Sequence, residues 1–308
     1  MRNNNLILST PQIGMSGRYR MVVRKARNNT IVRETDWFDN IITNQGLDSY
    51  GQQNGPGLGV VSIGTGTTAP AATDTALATF SASTNSSAPG TAFGNLGAPD
   101  YIGYLIFARR FNPGSLNGNY SEVGIGWAAN TLFSRALILD GSGNPTTITV
   151  LSDEYLDVFY ELRFRQPTTT VAGSATITGV GTVGFQRRAG DISSLEATAS
   201  TGISFAGLGG SSSITSYTGG LPAITDSTPS GGTLGNGTSP VHAAYVLGSY
   251  SRTSTFTFGL NQSNGAIKTI QGRMSNEGPV WHIAFDNSIT KLNTQVLTLT
   301  FTASWARA

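Results

Sequence analysis

Asp153, Glu154 and Asp157 lie close together in the segment "SDEYLD" and are the first candidates for chemistry in this chain. A glycoside hydrolase needs two carboxyl groups that flank one bond, one as general acid and the other as base or nucleophile. Asp153 and Glu154 are consecutive, so a strand would point them to opposite faces, and a turn would expose both to water. We therefore predict a solvated turn, and a depolymerase is the least favoured function.

The two histidines, His242 and His282, lie in unlike contexts. His282 follows Trp281 in "GPVWHIAF", and no other histidine or carboxylate is near it at ligand spacing, which favours a strand residue over a metal ligand. Folding alone can bring a Ser-His-Asp triad together, but no serine lies in a G-x-S-x-G pattern. We predict no catalytic, cofactor-binding or metal-ligating residue, and a protein that is not an enzyme.

The stretch "IGTGTTAPAATDTALA", residues 63–78, has the glycine content of a phosphate-binding loop but lacks its chemistry. A P-loop closes with a lysine and a hydroxyl residue that meet the phosphates together with backbone N–H groups. No lysine occurs between Lys25 and Lys268. We predict an ordered connector, in which glycine allows tight turns and β-branched threonine favours extended chain.

Glu122, in "NYSEVGIGW", is a single carboxylate among glycine and aliphatic residues. Such a group must be exposed or paired, because an unpaired buried charge is costly. Arg109, Arg110 and Arg135 are the candidate partners, and we predict a structural salt bridge.

Five aromatic residues would suit a platform on which sugar rings stack. Most fall at alternating strand positions, where packing in a hydrophobic core is the usual role of an aromatic ring. We predict core positions as the default, and sugar stacking stays the alternative, for Trp37, Phe38, Trp127, Trp281 and Trp305.

The composition indicates a surface of neutral polar residues. Charged residues make up 12% of the chain, about half the usual share, whereas the hydrophobic 38% is too high for a disordered chain. A surface of Ser, Thr, Asn, Gln and Gly gains little solubility from charge and suits a subunit inside an assembly. A net charge of +2 is too small to indicate a nucleic-acid partner, which needs Lys and Arg concentrated on one face.

One local basic cluster stands out, and we interpret it as a solvated strand face. The alternative is a contact with an acidic partner subunit. Its members are Arg18, Arg20, Arg24, Lys25 and Arg27.

Cysteine is absent, which excludes disulfides and thiolate metal sites and fits folding in a reducing cytoplasm. The first residues show no signal-peptide pattern, and no apolar run approaches the roughly 18 residues of a membrane helix. We therefore expect no membrane partner.

Short alternating apolar segments separated by Gly, Asn, Pro and Ser recur along the chain and predict half-buried strands joined by turns. In "GRYRMVVRKA", Tyr19, Met21 and Val23 share one face. The following "RNNT" predicts a turn, because Asn tolerates a left-handed backbone. A short helix near "TNQGLDSYGQ" or "TDTALATF" is the only helical alternative.

Residues 51–99 and 202–240 are rich in Gly, Ser, Thr and Pro, which is typical of long surface loops. Interspersed aliphatic residues favour ordered loops lying on a neighbour over disorder. Loops of this length are uncommon unless they serve binding or assembly. We predict that both segments cross subunit boundaries in a homo-oligomer, either a trimer or a ring.

The two halves of the chain resemble each other. An Asn-Gly turn, a small-residue strand, a second strand, an "IT" corner and a long terminal strand occur in the same order in both. Shifting the sequence by 141 positions superposes Ile148 on Ile289, Leu151 on Leu292, Leu156 on Leu297, Val158 on Leu299, Tyr160 on Phe301 and Phe164 on Trp305.

We therefore predict an all-β fold of two antiparallel β-sandwich domains, jelly-roll-like and duplicated, with long Gly/Ser/Thr-rich loops. The predicted division is an N-terminal arm at 1–17, an N-terminal β-sandwich at 18–166 and a C-terminal β-sandwich at 167–308. The terminal strand, 296–307, should stay within its own sheet. Its buried face would consist of Leu297, Leu299, Phe301 and Trp305.

Residues 32–48, "VRETDWFDNIITNQGLD", followed by residues 63–78, resemble structural proteins of tailed-bacteriophage virions. The similar pattern is a Trp-bearing strand ending in N-x-I-x-x-x-G-L-D and then a G-T-G-T-T-x-P stretch. "GNYSEVGIGW", "LFSRALIL" and a terminal strand closing in Trp305 and Arg307 extend the likeness. It covers most of residues 18–165 and roughly 250–308.

The resemblance implies a non-enzymatic tail, collar or fibre-base subunit of a virion, assembled in the host cytoplasm with its own copies and other virion proteins. The alternative function is a host-surface carbohydrate-binding adhesin, or receptor-binding protein, whose exposed loops and aromatic residues would carry recognition.

Overall fold

The computed structural model describes residues 2–9, 12–52, 58–97, 102–178, 180–190, 213–226, 228–238, 240–273 and 280–308. The one helix in these ranges is α1 (Asn44–Gly51). The strands are β1 (Arg2–Ser9), β2 (Ile13–Lys25), β3 (Ile31–Glu34), β4 (Phe38–Asp39), β5 (Ile41–Ile42), β6 (Val60–Gly64), β7 (Phe80–Thr84), β8 (Ala92–Leu96), β9 (Ile102–Phe111), β10 (Gly118–Tyr120), β11 (Glu122–Gly126), β12 (Ser134–Leu137), β13 (Ile148–Val150), β14 (Glu154–Arg165), β15 (Val171–Ile177), β16 (Gly181–Gly190), β17 (Ser213–Tyr217), β18 (Thr233–Asn236), β19 (Val241–His242), β20 (Ser251–Phe258), β21 (Gly265–Arg273), β22 (Val280–Lys291) and β23 (Gln295–Arg307).

The fold is all-β, as the alternating apolar pattern predicts. Within the described ranges, ten strands form one sheet whose main order is β19-β20-β23-β2-β14-β9-β8. A five-stranded sheet, β5-β12-β11-β6-β7, and a six-stranded sheet, β15-β16-β22-β21-β17-β18, accompany it. Strands β10 and β13 pair as a further two-stranded sheet. The arrangement is sandwich-like, and buried side chains from all four sheets make one hydrophobic core.

Each smaller sheet packs on one part of the ten-stranded sheet. In the first half, the Tyr19 hydroxyl on β2 lies 2.7 Å from the Ser134 hydroxyl on β12. In the second half, the rings of Trp281 on β22 and Phe301 on β23 have centroids 4.3 Å apart. Side chains therefore meet across two layers in both halves.

The two halves are joined by parallel pairing along β23. Strand β1 runs parallel to β23 from Arg2 opposite Gln295 to Ser9 opposite Thr302. After a short break, β2 resumes the pairing with Ile13 opposite Trp305. Because β2 also pairs antiparallel with β14, the sheets of both halves are continuous.

Strand β23 carries the alternation that its sequence predicts. Leu297, Leu299, Phe301 and Trp305 are buried, whereas the intervening threonines are half-exposed. Strand β23 pairs with β20 of the second half, as predicted for a strand within its own sheet. It also pairs with β1 and β2 from the start of the chain, so its pairing is not confined to the second half.

The pairing registers of the two halves correspond. In the first half, Glu122 on β11 pairs with Leu137 on β12. The residues 147 positions later, Thr269 on β21 and Ala284 on β22, pair with each other in the second half. Likewise, Leu156 pairs with Phe111, and their counterparts Leu297 and Phe258, 141 and 147 positions later, also form a pair. Even a β-bulge recurs, between Ile63 and Gly64 on β6 and between Ser216 and Tyr217 on β17.

A turn recurs with the same hydrogen bonds. In "PAATD" the Asp74 carboxylate accepts from the Ala71 N–H at 2.8 Å, and in "PAITD" the Asp226 carboxylate accepts from the Ala223 N–H at 3.1 Å. This correspondence favours the duplication interpretation, which stays a prediction together with the jelly-roll topology.

The expectation of two long loops is wrong where strands interrupt them, although most of their described residues lie outside strands. Segment 51–99 contains β6, β7 and β8, and segment 202–240 contains β17 and β18. These strands consist largely of small and hydroxyl residues, so composition alone conceals them. Residues 53–57, 98–99, 202–212, 227 and 239 of the two segments lie outside the described ranges.

The local predictions have mixed outcomes. Asn29 in "RNNT" has φ of 62°, as expected for a turn. The helix near "TNQGLDSYGQ" is present, with the buried Thr43 hydroxyl accepting from the Gly46 N–H at 3.0 Å as its N-cap. "TDTALATF" forms turns and the start of β7 instead of a helix. The predicted boundary at residue 17 lies inside β2, and the one at 166 lies between β14 and β15.

Leu6 on β1 tests the parallel junction. Leu6 is fully buried, whereas its neighbour Ile7 is 67% exposed. We expect Leu6→Ala to lower the free energy of unfolding by about 2–5 kcal/mol, because it empties a packed position. Ile7→Ala should change the unfolding free energy of the single chain by less than about 1 kcal/mol, since this side chain is mostly in water there. Urea denaturation of both variants checks this, and equal effects would contradict a stabilising role for β1.

Candidate functional site

The carboxylates that suggested glycosidase chemistry have structural partners. Asp153 is exposed and bonds Lys25, whereas Glu154 and Asp157 are almost fully buried, so the prediction of a solvated turn is wrong for these two. Asp157 accepts two hydrogen bonds from Arg110, at 2.6 and 2.8 Å. Both carboxyl groups are buried because cationic side chains from other strands compensate them.

Glu154 closes the turn before β14. Its carboxylate accepts from the Leu151 N–H at 3.0 Å, lies 3.0 Å from the Lys25 ammonium and bonds Arg33. Burial acts to raise the pKa of Glu154, but these hydrogen bonds and charges outweigh it and hold the pKa below the ordinary value of 4.5.

Glu122 is fully buried and lies in a cradle of N–H donors. The backbone N–H groups of Gly66, Ala78 and Thr79 donate to its carboxylate at 3.0, 3.0 and 2.7 Å. Arg135 pairs with the Glu122 carboxylate through Nε at 3.0 Å and Nη2 at 2.8 Å. The predicted salt bridge is confirmed, and Arg135 is the partner among the three candidate arginines. A Cβ at Gly66 would overlap the carboxylate, so glycine is required for this approach.

Arg135 extends the network into the Gly/Thr-rich stretch. It donates to the Asp74 carboxylate at 2.6 Å and to the Thr68 carbonyl at 2.8 Å. Residues 63–78 are therefore an ordered connector, as predicted, and their backbone donors bind an anion that the protein itself supplies.

The histidines lie in strands. His282 is fully buried on β22, and its position corresponds to that of Arg135 in the first half. His242 lies on β19 with Nδ1 2.9 Å from the Ser254 hydroxyl. Burial lowers the pKa of His242, and the nearby charge of Arg252 acts in the same direction.

The basic cluster on β2 is largely paired within the chain. Arg18 bonds Glu161 through two nitrogens at 3.0 and 2.9 Å, and Arg20 bonds Glu34 at 2.6 Å. Arg24 donates to the Asn29 carbonyl at 3.1 Å. These intramolecular partners favour the strand-face interpretation over a contact with an acidic subunit.

Among the aromatic candidates, Phe38, Trp281 and Trp305 are buried, as predicted for core positions. Trp127 and Trp37 are only partly buried. The Arg18 guanidinium lies 4.6 Å from the centre of the Trp37 ring, a cation–π contact that covers one face of the indole.

Trp37 also lines a cleft of about 550 Å³, a volume typical of small-ligand sites. Residues 33–37, the end of β3 and its connection to β4, form one wall. Residues 139–141 and 146–149, in the connection after β12 and the start of β13, form the other wall, and Arg20 completes the lining. Of the sequence candidates, only Trp37 and Arg20 reach this cleft.

The cleft walls are fixed by hydrogen bonds. Asp140 Oδ1 accepts from the N–H groups of Ser142 and Asn144, both at 2.9 Å, and these bonds lower the pKa of Asp140. Arg33 Nε donates to the Thr149 carbonyl at 2.8 Å and so ties the two walls together. The arrangement can bind a small polar ligand against an aromatic ring.

Sequence inspection missed Asp36, Asp140 and the cleft itself. The signal available was the turn-forming "DGSGN" beginning at Asp140, but nothing in the sequence places it beside Trp37.

The chain has no match among protein-family models, curated proteins or solved structures. No helix in the described ranges is long and apolar enough to cross a membrane. The same residues contain no group of three or more His, Cys, Asp or Glu side chains that could hold a metal ion.

Glu122 and Glu34 form a matched pair for testing the buried network. Glu122→Gln leaves the Arg135 charge buried with a weakened counter-charge, and we expect it to lower the free energy of unfolding by about 3–5 kcal/mol. Glu34→Gln breaks an ion pair whose side chains are 39% and 45% exposed, and should cost at most about 1 kcal/mol. Chemical denaturation at pH 7 measures both. Similar small losses would show that the Glu122 cradle contributes little.

Glu154 should contribute a pH-dependent part of the stability. Because its folded pKa lies below its unfolded value, its contribution is complete above pH 4.5 and disappears as the pH falls through the folded pKa. The difference in unfolding free energy between the wild type and Glu154→Gln should be largest at pH 7 and shrink below pH 4.5. Denaturation at stepped pH values measures it, and a constant difference would contradict the ion-pair role.

Proposed function

We propose that this protein is a non-enzymatic structural component of a tailed-phage virion, a tail, collar or fibre-base subunit that assembles with its own copies as a trimer or a ring. Its place is the virion, and its partners are copies of itself and other virion proteins. The resemblance of residues 32–48 and 63–78 to such proteins supports this proposal. The structural partners of Glu122, Glu154 and Asp157 fit it, because these carboxylates stabilise the fold.

The proposal of assembly rests mainly on the outer face of β20 and β23. The half-exposed side chains from Ser251 to Thr257 on β20 and from Thr298 to Ser304 on β23 all bear hydroxyl groups, and opposite members approach each other. The Thr253 and Thr302 hydroxyls are 2.9 Å apart, and those of Thr255 and Thr300 are 3.3 Å apart. An uncharged face of this kind suits a neighbour that packs by shape and neutral hydrogen bonds.

Exposed apolar side chains border this face. Ile7, Thr300, Thr255 and Val241 form one row of paired residues across β1, β23, β20 and β19. Ile7 is 67% and Val241 is 73% exposed. These two apolar side chains at the ends of a hydroxyl-bearing row would lose their contact with water if a neighbour covered the face.

The connection after β19 presents two more apolar side chains. Asp48 on α1 accepts from the Tyr245 hydroxyl at 2.6 Å and from the Gly248 N–H at 2.7 Å. These bonds fix the connection while Val246 and Leu247 remain 68% and 69% exposed. An ordered apolar tip requires little entropy loss on contact with a partner.

The second candidate function is a host-surface carbohydrate-binding adhesin. The cleft beside Trp37 favours it, since an aromatic ring next to polar groups is suited to a sugar.

Val241→Lys tests the assembly surface. Light scattering at high concentration should give an oligomer for the wild type and a smaller species for Val241→Lys, because copies of an added charge would repel at the contact. Val180→Lys, at a 47% exposed position in the turn between β15 and β16, is the matched control and should assemble normally.

A monomeric wild type, or a Val241→Lys variant with unchanged mass, would contradict this surface. Mass spectrometry of purified particles tests the virion role separately. Absence of the protein from the particles, or hydrolysis of a polysaccharide by the purified chain, would overturn that role.

A further inference from the structure

We propose that the cleft beside Trp37 is a binding site for a neutral saccharide. This inference deepens the second candidate function and does not depend on assembly or on a place in a virion.

The cleft is built where the first half of the chain passes from one sheet to another. Strand β4 pairs with β2 in the ten-stranded sheet, whereas β5 pairs with β12 in the five-stranded sheet. Trp37 lies directly before β4, at this change of sheet.

An insertion in the first half forms the second wall of the cleft. Leu137 and Ile148 correspond by register to Ala284 and Ile289, which are only five positions apart within the continuous strand β22. The eleven positions from Leu137 to Ile148 instead include the turn at Asp140, which makes this wall. A wall added beside Trp37 in one half indicates a site beyond what the sandwich itself requires.

The groups left for a ligand are an aromatic ring, a donor and an acceptor. Arg18 covers one face of Trp37, which leaves the other face and the ring edge for contact. Within the described residues, neither the Trp37 indole N–H nor the Asp36 carboxylate has a hydrogen-bond partner. A sugar ring offers C–H groups to an indole face and hydroxyl groups to both polar partners.

The charge of the lining selects against acidic ligands. Its cations, Arg20 and Arg33, are already paired with Glu34 and Glu154. The carboxylates of Asp36 and Asp140 have no cationic partner in the described part of the chain. A uronate or a phosphorylated sugar would meet uncompensated negative charge, whereas a neutral sugar donates its hydroxyl protons to the carboxylate oxygens.

Isothermal titration calorimetry with the purified chain tests the proposal, using glucose, galactose, N-acetylglucosamine and glucuronate as probes. We expect at least one neutral sugar to bind with Kd below ~10 mM and glucuronate to bind at least about five-fold more weakly than glucose. Trp37→Ala should weaken the binding at least about ten-fold, and Trp37→Phe should restore part of it. Trp127→Phe, which removes no cleft residue, is the matched control and should bind as the wild type does.

Asp36→Ala keeps the test decisive if Trp37→Ala fails to fold, because Asp36 is exposed and its loss leaves the core intact. It should weaken binding at least about five-fold. No neutral sugar binding, or unchanged affinity in folded Trp37→Ala or Asp36→Ala, would overturn the proposal. Light scattering of the same samples distinguishes loss of the site from failure of assembly, since these variants should keep the mass of the wild type.

Discussion

The parallel pairing of β23 with β1 and β2 is the constraint on which the rest of the structure depends. It makes one continuous sheet out of strands from both halves and brings the end of β23 to the first half. There the Trp305 indole N–H donates to the Leu47 carbonyl at 2.8 Å, and Arg307 bonds Asn44 at 2.6 Å. Helix α1 is thereby placed where Asp48 can fix the connection after β19. A parallel pair of this kind is highly non-local, because its partners are almost the full chain length apart, so its formation must overcome loop-closure entropy.

Part of the small charge complement of the chain lies inside the protein, in ion pairs. Glu122, Glu154, Asp157, Glu161 and Arg135 are nearly inaccessible, and each pairs with an opposite charge. Such pairs fix which strand lies beside which, because a shifted register would leave a buried charge alone. The outer face of β20 and β23, in contrast, consists mainly of threonine and serine.

Local features of the fold could be predicted from the sequence, and long-range ones could not. The alternating pattern predicted the buried face of β23, and Asn29 predicted the turn between β2 and β3, because both features depend on neighbouring residues. Strands β6 and β17 were missed. Strand β17 consists largely of hydroxyl residues, and the aliphatic β6 is short and lies in a Gly-, Thr- and Pro-rich segment, so the stability of both comes from their partners. The burial of Glu154 depends on Arg33, which only tertiary pairing brings near. The repeated "PAATD" and "PAITD" segments indicated in the sequence that the two halves correspond, whereas no nearby residue predicted that Asp140 would lie beside Trp37.

The direction of β1 relative to β23 also determines how the protein carries mechanical load. Because the strands run parallel, the start of β1 and the end of β23 lie at opposite ends of the paired region. A pull between these two points would slide one strand along the other and load all their hydrogen bonds at once, in shear. An antiparallel hairpin that is pulled at its open end breaks its hydrogen bonds one after another. The junction that joins the two halves is therefore oriented to resist tension along the long axis of its strands.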